Sequence, residues 1–184
     1  DAQLPKVMEE LTGNPNIFFA IPDVITSNTA PDHLLAKDPL SITTEDGICF
    51  IDDRAKQIGG VVRYVPADEL NRQWLAKLYI HNTPHCIAAY LGSLLKVTYL
   101  HESMKSPLAA KIVEGAMHEM EEMLLKEYNL DPEFVRWYGG KELARFRNEL
   151  LCDPISRVAR EPFRKLKPND RLIGAAQRSE EHTS

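Results

Sequence analysis

The sequence predicts a mainly α chain with a few strands confined to its opening third. Three observations carry that expectation. From about residue 66 to 177, apolar residues recur at three- and four-residue spacing between recognisable helix starts and stops. Before residue 66 they come in short β-branched runs broken by Pro, Asn and Asp. The composition is that of an ordinary globular chain: 184 residues, 43% hydrophobic, 27% charged and 8% aromatic, with nine Gly and twelve Pro. That excludes collagen-like, low-complexity and intrinsically disordered classes, and it suffices for one packed domain.

The first run, Asn16 to Thr26, is rich in Ile, Phe and Val and reads as a strand that Pro22 confines to a sheet edge or a strand end. Ser27 to Lys37 is loop-like. Two β-prone stretches follow, Leu40 to Thr44 and Ile48 to Asp52, then a turn at Gly59-Gly60 and an apolar run at Val61 to Val65. Past Pro66, Asp68-Glu69-Leu70 opens a helix with Leu70, Trp74, Leu75 and Leu78 as its buried stripe. Asn82-Thr83-Pro84 reads as a break and restart, with Thr83 able to cap and Pro84 at the first helical position. Ile87, Leu91, Leu94 and Leu95 then share one side of the next helix. Pro107 starts a long helix with Leu108, Ile112, Ala116, Met120 and Leu124 on one side, and Met117, Met120 and Met123 read as core filling. Asn129 ends that helix and Asp131-Pro132 caps another, which Gly139-Gly140 is expected to interrupt before Lys141 to Leu151. Asp153-Pro154, Glu161-Pro162 and Pro168-Asn169-Asp170 mark three short starts. Residues 178–184 lack an apolar anchor and are expected to form a disordered or non-native tail.

The net charge of −5 argues against a nucleic-acid or anionic-membrane partner, but it conceals a split. Lys141 to Arg178 holds ten Lys/Arg against five Asp/Glu, whereas residues 1 to 140 hold twelve against twenty. A basic end on an acidic body suits a small anion such as a phosphate or carboxylate, although a solvated helical face is the commoner meaning of such a run. Cys49, Cys86 and Cys152 form neither a C-x-x-C pair nor a disulfide framework, which favours a reducing cytoplasm. No apolar run approaches a membrane span and no signal peptide opens the chain. It starts at Asp1 without Met, as a fragment or processed product would.

One segment concentrates chemistry. Lys77-Leu78-Tyr79-Ile80-His81-Asn82-Thr83-Pro84-His85 sets a lysine, an amide and an imidazole at i, i+5 and i+8. At helical pitch Asn82 and His85 fall within about 60° of each other, and Lys77 has to be brought round by the break. A desolvated lysine can act as general acid/base, an amide NH₂ can donate to an alkoxide, and an imidazole can orient a hydroxyl. His81 and His85 stand at i, i+4 as in zinc sites, but the Glu of H-E-x-x-H is absent and no metal is expected. A helix-end lysine, a turn-forming Asn-Thr-Pro, a packed Tyr99 beside a surface His101–Glu102 pair and a buried Cys86 are the plainer readings of the same residues.

The segment Lys77 to His85, followed by Ala88-Ala89-Tyr90-Leu91-Gly92, resembles the Lys-x4-Asn-x2-His signature of the polyol-specific long-chain dehydrogenases, the mannitol dehydrogenase family. Asp153-Pro154-Ile155-Ser156-Arg157-Val158-Ala159-Arg160-Glu161-Pro162-Phe163-Arg164-Lys165-Leu166, with Asn169-Asp170-Arg171-Leu172-Ile173-Gly174, looks most like the branch acting on mannitol 1-phosphate. The likeness spans roughly Asp38 to Gly174 and departs at Pro84, where that branch commonly has Gly.

The resemblance implies a two-domain NAD enzyme and a helical, 6-phosphogluconate dehydrogenase C-terminal-like substrate domain at residues 38–177. Residues 1–37 would then be the remnant of a Rossmann domain and its linker. It implies Lys77 as general acid/base, Asn82 as oxyanion donor and His85 as ligand of a substrate hydroxyl, with no metal. Arg157, Arg160, Arg164 and Lys165 become candidates for a phosphate. No G-x-G-x-x-G is present, so NAD is expected to be held mainly by a missing N-terminal domain, and the chain alone is expected to be inactive. The alternatives are another polyol or sugar-acid oxidoreductase of the family (mannitol 2-dehydrogenase, fructuronate or tagaturonate reductase) and a non-catalytic helical interaction module.

Overall fold

The structure, a computed structural model, describes residues 4–55, 62–168 and 170–181. Gly59-Gly60 and Asn169, read above as parts of turns, lie outside the described residues. The architecture is mainly helical with one small sheet. The first helix, α1 (Leu4–Thr12), was not foreseen: its Val7, Met8 and Leu11 sit at helical spacing, yet Val7 and Leu11 stay exposed. The expected strand at 16–26 shortens to β1 (Ala20–Asp23), which pairs antiparallel with β2 (Ile48–Asp52) so that Pro22 faces Cys49. β2 pairs in parallel with β3 (Val62–Val65), giving the order β1-β2-β3. β1 is thus an edge, the place where a residue without an N–H is tolerated. The sheet takes strands from both sides of residue 38. Leu40 to Thr44 is no strand: Thr44 makes a single bridge to Thr26, and Leu40 and Ile42 are exposed.

After the short α2 (Asp32–Leu35), α3 (Ala67–Ala76) begins where Pro66 predicts. Its stripe serves two cores. Leu70 and Trp74 pack with Ile21, Phe50 and Val65 against the sheet, and Leu75 joins the main helical core. The break expected at Asn82-Thr83-Pro84 does not occur. Lys77–Asn82 forms a π-helical turn that runs directly into α4 (Thr83–Leu95), and Asn82 keeps helical dihedrals. Pro84 lacks the N–H that an α-helix would bond to the residue four back, and a widened turn absorbs that loss without ending the helix. Thr83 accordingly caps nothing; its Oγ1 donates to the carbonyl of Arg171 at 2.7 Å.

The core-facing side of α4 also differs from expectation. Cys86, Ala88, Ala89 and Gly92 are buried, Ile87 and Leu91 only partly, and Leu94 is 80% exposed. Small residues let α4 approach its neighbours closely: a Cβ on Gly92 would stand 2.3 Å from Ile155 Cδ1. α5 (Leu100–Ser103) follows, where Glu102 accepts from the backbone N–H groups of Thr98 and Tyr99 rather than pairing with His101, whose ring stacks on Tyr99. α6 (Pro107–Tyr128) starts at Ser106, whose hydroxyl accepts from Ala109 N, and stops at Asn129 in the left-handed conformation, as expected. Its buried face is Ala109, Val113, Met117, Met120, Met123 and Leu124, so the methionines fill the core while Leu108 and Ile112 face outward.

Asp131 caps α7 (Pro132–Arg147) by accepting from Phe134 N. Gly139-Gly140 does not interrupt it. The end of the Glu121 side chain on α6 lies over Gly139, 1.9 Å from where a Cβ would stand, while a Cβ on Gly140 would meet nothing, and the helix runs on through both. The three short elements expected at the end are α8 (Ile155–Val158), α9 (Pro162–Lys165) and α10 (Ile173–Glu181). Arg178 to Glu181, expected to be a tail without structure, instead completes α10: Arg178 pairs with Glu127 at 2.5 Å and Ser179 is buried. A neighbouring helix supplied the anchor that the apolar pattern lacked. No described helix is long and apolar enough to cross a membrane.

Candidate functional site

The π-helical turn arranges the predicted residues. In an α-helix, residues five apart diverge by about 140°, and i→i+5 bonding narrows that to about 50°. Lys77 and Asn82 stand at the two ends of this turn, without any break in the chain. His81 and His85, one turn apart, bring their ring centroids to 4.8 Å, and Phe146 stacks flat on His85 at 5.2 Å.

Asn82 and His85 line a cavity of about 340 Å³ together with Arg157, Val158, Arg160, Glu161, Arg164, Lys165 and Arg171. All four basic residues singled out in the sequence converge here, and Arg171 joins them. Five cations face one acid, a composition for holding a compact anion. Their own partners differ. Arg157 donates through Nε to Asp153 Oδ1 at 2.8 Å, Arg164 through Nε to Glu161 at 2.7 Å, and Arg171 through Nε to Asp170 at 3.0 Å. Arg160 Nε donates to the Arg157 carbonyl at 3.0 Å, and the buried Lys165 Nζ donates to the carbonyl of Val158. Burial lowers the Lys165 pKa.

Lys77 is not among the residues lining that cavity. Its half-buried ammonium donates to the carbonyl of Pro22 on β1. Burial pushes its pKa down, against the opposing pull of Asp23 and Glu142, and the like charges of Arg145 and Lys141 push the same way as burial. β1 is pinned beside it: Asp23 accepts from Lys141 at 2.7 Å and from Arg145 at 2.8 Å.

Two buried carboxylates that the sequence reading missed hold the two histidines. Glu142, wholly buried, meets His81 Nδ1 at 2.5 Å through Oε2, and through Oε1 it accepts from Arg145 at 2.7 Å beside Lys141 at 3.3 Å. Burial alone would raise the Glu142 pKa, but His81, Arg145 and Lys141 together hold it down to about 2. Its signal was present: Glu142 occupies the apolar stripe Val135, Tyr138, Gly139, Phe146 of α7, where a carboxylate needs partners. Asp153 Oδ2 faces His85 Nε2 at 2.9 Å. Burial drives the His85 pKa down to about 4, outweighing the Asp153 hydrogen bond, so the ring is neutral at pH 7. A neutral ring that donates Nε2–H to Asp153 keeps an acceptor lone pair on Nδ1. The i, i+4 spacing of Asp153 and Arg157 was the available signal there; for Arg171 nothing beyond the local charge count pointed to the cavity. The thiol of Cys86 is pushed up by burial, so its readiest role is that of a small core residue.

Comparison with known proteins shows the family. The mannitol dehydrogenase C-terminal domain matches residues 70–183. A mannitol-1-phosphate 5-dehydrogenase of Clostridium acetobutylicum is 34% identical over 175 residues, which cover 94% of this chain and 44% of that protein. The structure of Pseudomonas fluorescens mannitol 2-dehydrogenase, a ternary complex with NAD and D-mannitol, superposes with a TM-score of 0.59 at 21% identity, covering 83% of this chain and 33% of that one. This likeness speaks to the fold. The chain thus spans less than half the length of these relatives. It belongs to the mannitol dehydrogenase family and carries that family's C-terminal domain.

Proposed function

We propose that this chain supplies the substrate site of an NAD-dependent polyol dehydrogenase that interconverts mannitol 1-phosphate and fructose 6-phosphate. The observation that carries the reading is the single cavity that joins Asn82 and His85 to five cations. Its volume, about 340 Å³, is within the range of small-molecule sites. A phosphate among Arg157, Arg160, Arg164, Lys165 and Arg171 leaves the polyol chain to reach His85 and Asn82.

In this reading Lys77 takes the alcohol proton. Burial lowers its affinity for a proton, the direction a general base needs; its Nζ rests on the Pro22 carbonyl outside the cavity lining, so the carbinol has to reach past Asn82 to meet it. The Asn82 amide donates to the oxygen as negative charge grows on it, and the neutral His85 accepts from a substrate hydroxyl. The relative's relation to mannitol 1-phosphate and the solved neighbour's complex with NAD support the choice of substrate and acceptor. NAD, when bound, supplies the acceptor for the carbinol hydrogen and its electron pair. The residues present do not fit its pyrophosphate, since the nine glycines include no G-x-G-x-x-G, and in this reading that cradle belongs to a segment outside this sequence. The isolated chain is accordingly expected to show no turnover. Three free cysteines are consistent with a cytoplasmic setting.

The test is substrate selectivity in the complete enzyme. Arg164→Ala removes one charge-assisted contact and is expected to raise KM for mannitol 1-phosphate about tenfold or more while leaving that for mannitol unchanged. Equal effects on both would assign the site to a non-phosphorylated polyol or sugar acid instead.

A further inference from the structure

We propose that Asp153 is a positioning residue that couples the two ends of this site, the hydroxyl-binding His85 and the anion-facing Arg157. The inference rests on the proposed substrate site and deepens it, because it assigns to a residue outside the cavity lining a part in selecting the substrate. Asp153 is 4% exposed and touches both groups with different oxygens. Oδ2 stands 2.9 Å from His85 Nε2, and Oδ1 accepts from Arg157 Nε at 2.8 Å and from its Nη2 as well.

The carboxylate is held from behind. The Asp153 carbonyl accepts from Leu100 N at 2.9 Å, and Ile155 N donates to the Thr98 carbonyl at 2.9 Å, so the chain on either side of Pro154 is tied to the segment that begins α5. Phe146 fixes the plane of the imidazole. One rigid carboxylate thereby sets the orientation of the ring and of the guanidinium fork, and hence the spacing between the hydroxyl and the anion that the cavity accepts.

Sharing one carboxylate also makes the two ends speak to each other. A guanidinium has five N–H donors, and Arg157 commits part of its fork to Asp153 while lining the cavity with the rest. When an anion draws on Arg157, less of that charge is spent on Asp153, and the carboxylate becomes a stronger acceptor for His85 Nε2–H. A stronger bond at Nε2 makes Nδ1 a better acceptor for a substrate hydroxyl. By reciprocity, a hydroxyl bound at His85 favours the anion at Arg157.

A double-mutant cycle in the complete enzyme decides the matter, with kcat/KM measured for mannitol 1-phosphate. His85→Ala and Arg157→Ala each lower it, and the double variant is expected to lose about fivefold less than the product of the two single losses. In an Asp153→Asn background the two losses should multiply. Asp153→Asn itself is expected to lower kcat/KM for mannitol 1-phosphate about 100-fold and for mannitol only about tenfold, a split that a merely structural role would not produce. Losses that multiply within about twofold in the enzyme with Asp153 would overturn the proposal, and so would coupling that persists in Asp153→Asn. If Asp153→Asn fails to fold, the cycle between positions 85 and 157 still decides. The broader phosphate reading fails separately, when Arg164→Ala affects both substrates alike.

Discussion

Two buried histidine–carboxylate pairs stand among the described residues, one turn of helix apart, and they do different work. His81 meets Glu142 and His85 meets Asp153, with the two rings 4.8 Å from each other. Glu142 opens inward: Arg145 and Lys141 take its other oxygen, and both continue to Asp23 on β1. Arg145 also reaches Glu45, so this network straps the sheet to α7 and closes on itself. Asp153 opens outward, through Arg157, into a cavity lined by cations. Histidine–carboxylate pairing, through Nδ1 to a glutamate in one case and Nε2 to an aspartate in the other, thus makes a tie in one place and, in the proposed reading, a binding element in the other. The partner beyond the carboxylate decides which.

The largest expected effect lies between the two, at Lys77, which sits on the strapped side yet carries the proposed proton transfer. Lys77→Ala in the complete enzyme should lower kcat by about 10³-fold or more with KM for the polyol little changed, as steady-state kinetics would show. Near-normal turnover would remove Lys77 from that role and leave it as part of the strap. Next comes the strap itself. Glu142→Gln removes the wholly buried charge that Arg145, Lys141 and His81 Nδ1 meet and leaves the two cations only the less buried Asp23 and Glu45, and urea unfolding should register a loss of about 3–5 kcal/mol. Asp153→Asn should cost less stability than Glu142→Gln, because Arg157 borders a cavity and can turn toward water. A reversal of that order would break the distinction between tie and binding element.

Acid separates the two pairs with a smaller effect. The folded state lowers the His85 pKa from 6.5 to about 4, so between those values the unfolded chain binds the proton more readily. The stability associated with a neutral His85 is therefore complete above about pH 6.5 and lost as pH falls toward 4, on the order of 3 kcal/mol in all. Glu142, depressed from 4.5 to about 2, contributes fully above its ordinary value and loses its share only as pH falls from there toward 2. The cavity pair gives way first and the strap second. Urea titrations at about pH 7, 5 and 3 would show two successive losses, and flat stability from pH 7 to 5 would contradict the buried, neutral His85.

Much of the helical body was legible because its signals are local. Ser106-Pro107 and Asp131-Pro132 start helices, and Asn129 ends one, through groups within a few residues of each other. Where the reading failed, the deciding partner was distant in sequence. Gly139-Gly140 reads as a break, yet α7 runs through it because Val135, Tyr138 and Phe146 on either side are buried in the helical core. Residues 178–181 looked unanchored until Glu127 supplied the anchor. Leu94 and Leu108 have core chemistry but remain largely exposed, bordering an apolar hollow that α4 and α6 share.

The site divides in the same way. Residue order alone determined that a basic cluster lies between Arg157 and Lys165, since charge counts are properties of the linear chain, whereas the grouping of Lys77, Asn82 and His85 was what a family resemblance implied. Only the tertiary structure decided how they meet. A π-helical turn carries the chain from Lys77 to Asn82 just before a proline that has no N–H to give, and the fold places Asn82 and His85 opposite the cations of α8 and α9 while Lys77 reaches the Pro22 carbonyl. It also decided that Glu142 and Asp153, 61 and 68 residues from the histidines they hold, are the groups that fix those rings. A buried charge must find its partner in space, and no local pattern says which residue that will be.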